Sequence, residues 1–269
     1  MWGCGDFGGG LLTRRTALFG VVLISQAVGL LVALALAVVR RETMPLPEDL
    51  VWSVLGGVAG GIGITALYQG LAVGRMAVVA PITAVIAALI PVSAGVLFEG
   101  VPPPLVVFGI ALALVAVTLV SRVDDEGDEP PRPSGFRFAL MAGAGLGFFG
   151  VCIAQISDGH AFGPLAVIRG SEAILVGAAV VVSRTAWRPE RRLVPPIAAV
   201  GVLDMAGNGA FILAVQTGSL AVAAVLSSLY PVTTVILAAV VLRERVTATH
   251  AFGIALAMAA IACIAVGSA

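Results

Sequence analysis

Nine stretches of this chain run for about twenty residues each with at most two charges, and no other feature restricts the fold as much. Reading between charged or proline-rich breaks places them near residues 16–39, 50–73, 76–97, 104–121, 136–156, 162–183, 194–215, 219–241 and 248–267. A helix rises about 1.5 Å per residue, so about twenty apolar residues cross a hydrocarbon layer of about 30 Å. In lipid each backbone polar group must be satisfied internally, and a single uninterrupted run does that as a helix. Composition supports the same solvent: 59% of residues are hydrophobic, 11% are charged and the mean hydropathy is +1.09. Soluble domains sit near 45–50% and about 25%. The expected environment is therefore a lipid bilayer, with the chain a multi-pass protein of the cell membrane.

Several other classes drop out at this stage. The formal net charge is zero, so no nucleic-acid partner is expected. Cys4, Cys152 and Cys263 stand singly in apolar stretches, without the spacing of a disulfide framework or a zinc site, so neither metal nor cofactor is expected. The run from residue 16 is too long for the apolar part of a cleavable signal and reads as a span.

The phrase FGIALAL at 108–114 returns as FGIALAM at 252–258, an offset of 144 residues. At the same offset Gly57 meets Gly201, Gly63 meets Gly207, Ala66 meets Ala210 and Gly74 meets Gly218, with no gap needed from 57 to 114. The chain reads as two homologous halves. Residues 1–121 form the first repeat, 122–135 an acidic, proline-bearing tether, and 136–269 the second repeat. Residues 1–12, MWGCGDFGGGLL, would reach only about 18 Å as helix. Carried backwards, the register leaves roughly nine residues of a first helix missing, so helix 1 is expected to be truncated. Five spans per half is an odd number, so the halves must enter the membrane from opposite sides. The expected fold is thus an all-α integral membrane protein, a ten-helix inverted repeat (5+5), which is the architecture of many secondary transporters.

The stretches SSLYPVTTVILAAVVLRERV (227–246) and HAFGIALAMAAIACIAVG (250–267) resemble the last two helices of EamA-type proteins of the drug/metabolite transporter superfamily. Their pattern is a helical proline, a Gly-Glu-Arg-like turn and a glycine opening the final helix. The turn here is Arg243-Glu244-Arg245, with the usual glycine replaced. WGCGDFGGG near the start, YQGLAVGRMAVVAP (68–81) and GVLDMAGN (201–208) extend the likeness. The resemblance implies ten helices and export or exchange of small metabolites, amino acids or drug-like solutes. The rival readings are a membrane-embedded enzyme, against which no HExxH-type motif appears, and a non-transporting scaffold. No enzymatic activity is expected.

Charges inside spans cost about 2.5–3.5 kcal/mol each on insertion scales, so each requires a reason. Counting residues 1–12 as the first span, Asp204 and Asn208 lie one turn apart on one face of the eighth (194–215), and the resemblance suggests a similar pair in related sequences. They could bind a cationic group or couple a proton, or Asp204 could instead pair with Arg169. Arg169 and Glu172, three apart in the seventh span, can pair with each other, or Arg169 can receive a solute carboxylate. Gln155, Gln216 and Tyr230 are further candidates for lining a cavity, and Asp6 stands in the short first helix. Pro231 should kink the ninth span by deleting the bond to the Ser227 carbonyl, with Pro81 and Pro91 acting likewise in the fourth. Gly56, Gly57, Gly60 and Gly61 stand at small-xxx-small spacing, which lets helices approach closely, within the chain or across a homodimer. The expected cavity lies between the halves, lined by spans three, four, eight and nine and the polar face of seven.

All fifteen basic residues are arginines. Alternating the loops puts twelve on one side, two (Arg40 and Arg41) on the other and Arg169 within a span. The positive-inside rule then sets both termini outside, whereas the resemblance implies both inside. The two readings oppose each other.

Overall fold

The computed structural model describes residues 1–99, 103–121, 135–157, 159–217, 230–244 and 246–267. Ten α-helices account for nearly all of them: α1 (Trp2–Thr13), α2 (Leu18–Val39), α3 (Pro47–Val73), α4 (Met76–Glu99), α5 (Pro104–Ser121), α6 (Phe136–Ile153), α7 (Phe162–Ser183), α8 (Val194–Thr217), α9 (Tyr230–Val241) and α10 (Ala248–Gly267). A 3₁₀ turn, Arg191–Leu193, leads into α8. Five of these, α2, α3, α6, α7 and α8, are each long and apolar enough among the described residues to cross a membrane. Their outward faces carry large apolar side chains, such as Leu31, Val58, Phe148, Ile174 and Val202, in full or partial exposure. In water that would be an aggregation surface; against lipid it is the ordinary exterior.

The packing follows a regular scheme between the halves. α3 lies against α6 as α8 lies against α1, α4 against α6 as α9 against α1, and α3 against α7 as α8 against α2. α2 packs on α7 and α5 on α10. The two copies of the repeated phrase thus sit on helices that touch each other: a Cβ on Gly109 would stand 2.8 Å from Ile264 and 3.1 Å from Cys263.

Glycine is what permits the closest of these approaches. A Cβ on Gly57 would stand 2.5 Å from the Ser171 Cβ and 2.7 Å from the Ile168 carbonyl of α7, and one on Gly61 3.1 Å from Leu175. A Cβ on Gly56 would stand 3.2 Å from Cys152 of α6. The small-xxx-small stripe of α3 is therefore spent inside the fold, as the seat of α6 and α7. Gly135, which precedes α6, has φ +70°, a left-handed conformation that glycine adopts without steric cost.

Pro47 opens α3, where its missing N–H costs nothing. Pro81 is buried in the second turn of α4. Pro231 sits in the first turn of α9, and Ser227, with the bond whose loss would kink the span, lies outside the described residues, as do the side chain of Pro91 and the 122–134 tether.

Candidate functional site

Three helices carry a polar residue close to their midpoints, a fourth has a glycine there, and the fold brings these residues together. Gly60 is the central residue of α3, Glu172 is central in α7, Asp204 lies within two residues of the middle of α8, and Gln26 within three of the middle of α2. Arg169, only 2% exposed, is the hub. Its Nη1 donates to Glu172 Oε2 at 2.9 Å and to Gln26 Oε1, and its Nη2 stands 2.6 Å from Asp204 Oδ2. Its Nε makes no hydrogen bond and lies over Gly29 of α2, where a Cβ would stand 3.4 Å away. Glu172 is accommodated because α3 offers no side chain at Gly60: a Cβ there would overlap the Glu172 carboxylate.

Around this hub α1 and α8 meet face to face. Trp2, Asp6 and Gly9 follow one another at helical spacing on α1, and Asp204, Gly207, Asn208 and Phe211 do so on α8. The Trp2 indole lies where a Gly207 side chain would be, and the Tyr68 ring of α3 lies across Gly9. Trp2 also meets Phe211 (centroids 5.8 Å apart) and, edge-on, Tyr230 of α9 (6.0 Å). Asp6 is 7% exposed and close enough to Asp204 for the two charges to repel. Neither the apolar cleft of about 410 Å³ between α2, α3 and α7 nor the one beside Arg15 and Arg192 reaches this cluster.

Both ends of the bundle are tied by carboxylates. At one end Glu244, in the α9–α10 turn, accepts the N–H groups of Met76 (3.3 Å) and Ala77 (3.2 Å) at the start of α4 and pairs with Arg14 (3.3 Å). Arg14 in turn donates to the Leu71 and Gly74 carbonyls that close α3. At the other end Glu42 Oε2 accepts from Phe162 (2.8 Å) and Gly163 (2.9 Å) at the start of α7, where unpaired N–H groups and the helix dipole favour an anion. Asp49 there accepts from the Ser157 N–H (2.9 Å) and hydroxyl (3.0 Å). The 27-residue α3 separates the two ends by about 40 Å.

Residues 133–266, the second half of the chain, match the model of the EamA-like transporter family. The chain belongs to the EamA-like transporter family. A solved crystal structure, described only as that of a protein, is similar over 97% of this chain and 94% of its own, with a TM-score of 0.63 at 17% identity. That likeness shows a fold shared along nearly the whole chain. No curated protein matches the chain.

The family's turn pattern has a local reason here. Arg243 stands at φ +54°, a conformation in which glycine is favoured, and the Glu244 after it ties the bundle end. Of the residues singled out in the sequence, the fold brings together Arg169, Glu172, Asp204, Asn208 and Asp6, with Tyr230 at the edge. Gln155 is exposed in the turn after α6, away from the cluster. The side chain of Gln216 and all of Asp158 lie outside the described residues. His160 hydrogen-bonds with Thr43 (3.0 Å) at the bundle end. The cavity expected from α3, α4 and α7 to α9 is differently built: α1 and α2 supply Asp6, Trp2 and Gln26, and no described side chain of α4 joins the polar group. Gln26 and Trp2 were passed over in the sequence. A lone amide midway along LISQAVGL was the available signal.

Proposed function

We propose that this protein moves a small organic solute across the cell membrane by alternating access, exporting or exchanging it, with the solute held at the Arg169–Glu172–Asp204 cluster. The observation that carries this reading is the depth of the cluster: charged and amide side chains from α2, α7 and α8 meet at the midpoints of their helices, about equally far from both ends. Groups buried so deep are costly and need a function or a structural debt to explain them. The counterpart packing of the helices supports an inverted 5+5 repeat of residues 1–121 and 136–269, in which one half rocks against the other around a fixed central site. The Glu244–Arg14 tie and the Glu42–α7 tie join the two halves at opposite ends, where alternating access needs contacts that break in turn.

The test is solute flux into proteoliposomes with amino acids, nucleosides, sugars and organic cations, with and without a pH gradient. Flux of one class that Asp204→Asn abolishes is the expected result. No flux of any solute from folded protein would move the assignment to a scaffold or a membrane-embedded enzyme.

A further inference from the structure

Three side chains beside the cluster are more than nine-tenths buried, and none takes part in a hydrogen bond or ion pair among the described residues: Asp6 (7% exposed), Tyr68 (1%) and Asn208 (6%). Buried polar groups in folded proteins are nearly always paired, so three side chains without a hydrogen bond at one place leave room for a partner. The charges ask for the same thing. Arg169 pairs with Glu172 and Asp204, and a third carboxyl group, Asp6, lies near Asp204 with no cationic side chain paired to it among the described residues. Arg169 already faces two carboxylates and the Gln26 carbonyl oxygen, which answer its charge, while its Nε makes no hydrogen bond. The unmet demand is for positive charge.

The walls say what kind of cation. Trp2, Phe211 and Tyr230 form an aromatic group on the same face of α1 and α8 as Asp6 and Asp204, and all three keep partial exposure, as does Asp204. Aromatic faces attract cations electrostatically and shelter alkyl substituents, the pairing found wherever ammonium groups are recognised. A small hydrated metal ion would gain little from such walls.

The geometry points to an organic ammonium ion as the solute, its charged nitrogen between Asp6 and Asp204 and its apolar part against Trp2, Phe211 and Tyr230. Asn208 and Tyr68 complete its polar contacts. This inference rests on the transporter reading and names the class of solute that reading leaves open.

Three probes of one shape and different charge test it: phenethylammonium, 2-phenylethanol and phenylacetate. Binding is read by equilibrium dialysis on the purified full chain, and counterflow in proteoliposomes. Phenethylammonium should bind at least tenfold more tightly than either of the others. Asp6→Asn should lose at least tenfold in that affinity while melting at the native temperature, since Asp6 has no protein partner to lose. Trp2→Ala should lose affinity similarly and Trp2→Phe should retain most of it. Equal binding of the three probes, or tightest binding of phenylacetate, overturns the inference, as does native affinity in folded Asp6→Asn. Counterflow of a neutral or anionic solute without the ammonium sinks the solute class and leaves the transporter. Binding of the ammonium without flux of any solute does the reverse.

Discussion

Arg169→Gln should destabilise the protein severely, and the size of the loss follows from the burial of its partners. Arg169 and Glu172 are each 3% exposed at the side chain and 2.9 Å apart, while Asp204 keeps 16%. Removing one partner of a buried pair leaves the other charge without compensation, at about 3–5 kcal/mol. The Asp204 contact, being partly solvated, adds less. At about 2–4 °C per kcal/mol for a chain of this size, the melting temperature should fall by roughly 10 °C. The assay is thermal unfolding of the purified chain in detergent, native against variant. A second variant isolates the cause: Arg169→Gln with Glu172→Gln removes the stranded carboxylate and should recover more than half of the loss. A single variant melting within about 2 °C of native, or a double variant less stable than the single, would refute the claim that charge compensation holds this cluster together.

Other consequences are equally open to measurement. Gly57→Ala should cost about 1–2 kcal/mol by the same assay, because overpacking against the α7 backbone outweighs the gain in helix propensity. Gly177→Ala, in the same α7 but with nothing within 4 Å of the new methyl, should instead stabilise by about 0.5–1 kcal/mol. Arg243→Gly should stabilise by about 1 kcal/mol, since it relieves a left-handed non-glycine residue at the end of α9. Glu244→Gln should weaken both the Arg14 pair and the anionic cap on α4, costing about 1–2 kcal/mol and increasing alkylation of a cysteine placed at Ala77. Unchanged alkylation would mean that this end is not held shut by Glu244.

How much of this was present in the chain as written is best seen residue by residue. Where the residues are described, the apolar runs matched the helices to within a few residues, because a segment that must satisfy its own backbone in lipid has one regular conformation available. Depth was legible too: Arg169, Glu172 and Asp204 stand near the middle of their runs, and a constant rise per residue turns position in a run into height in the membrane. Direction around the helix axis was not. Gln26 looked like one stray amide until the fold set it against Arg169, and Trp2 and Asp6 belonged to a helix too short to interpret alone. Gln155, as polar as Gln26, faces outward beyond the end of α6. Which face turns toward which neighbour depends on how closely two helices can approach, and here that is decided by glycines such as Gly57, Gly60 and Gly207, each of which has meaning only once the partner atom occupying its missing side chain is known. The sequence by itself determined the length and depth of the described helices; the tertiary structure alone decided that two carboxylates and an amide would share one arginine with a third carboxyl group beside them, because azimuth is set by packing between helices and not by order along the chain.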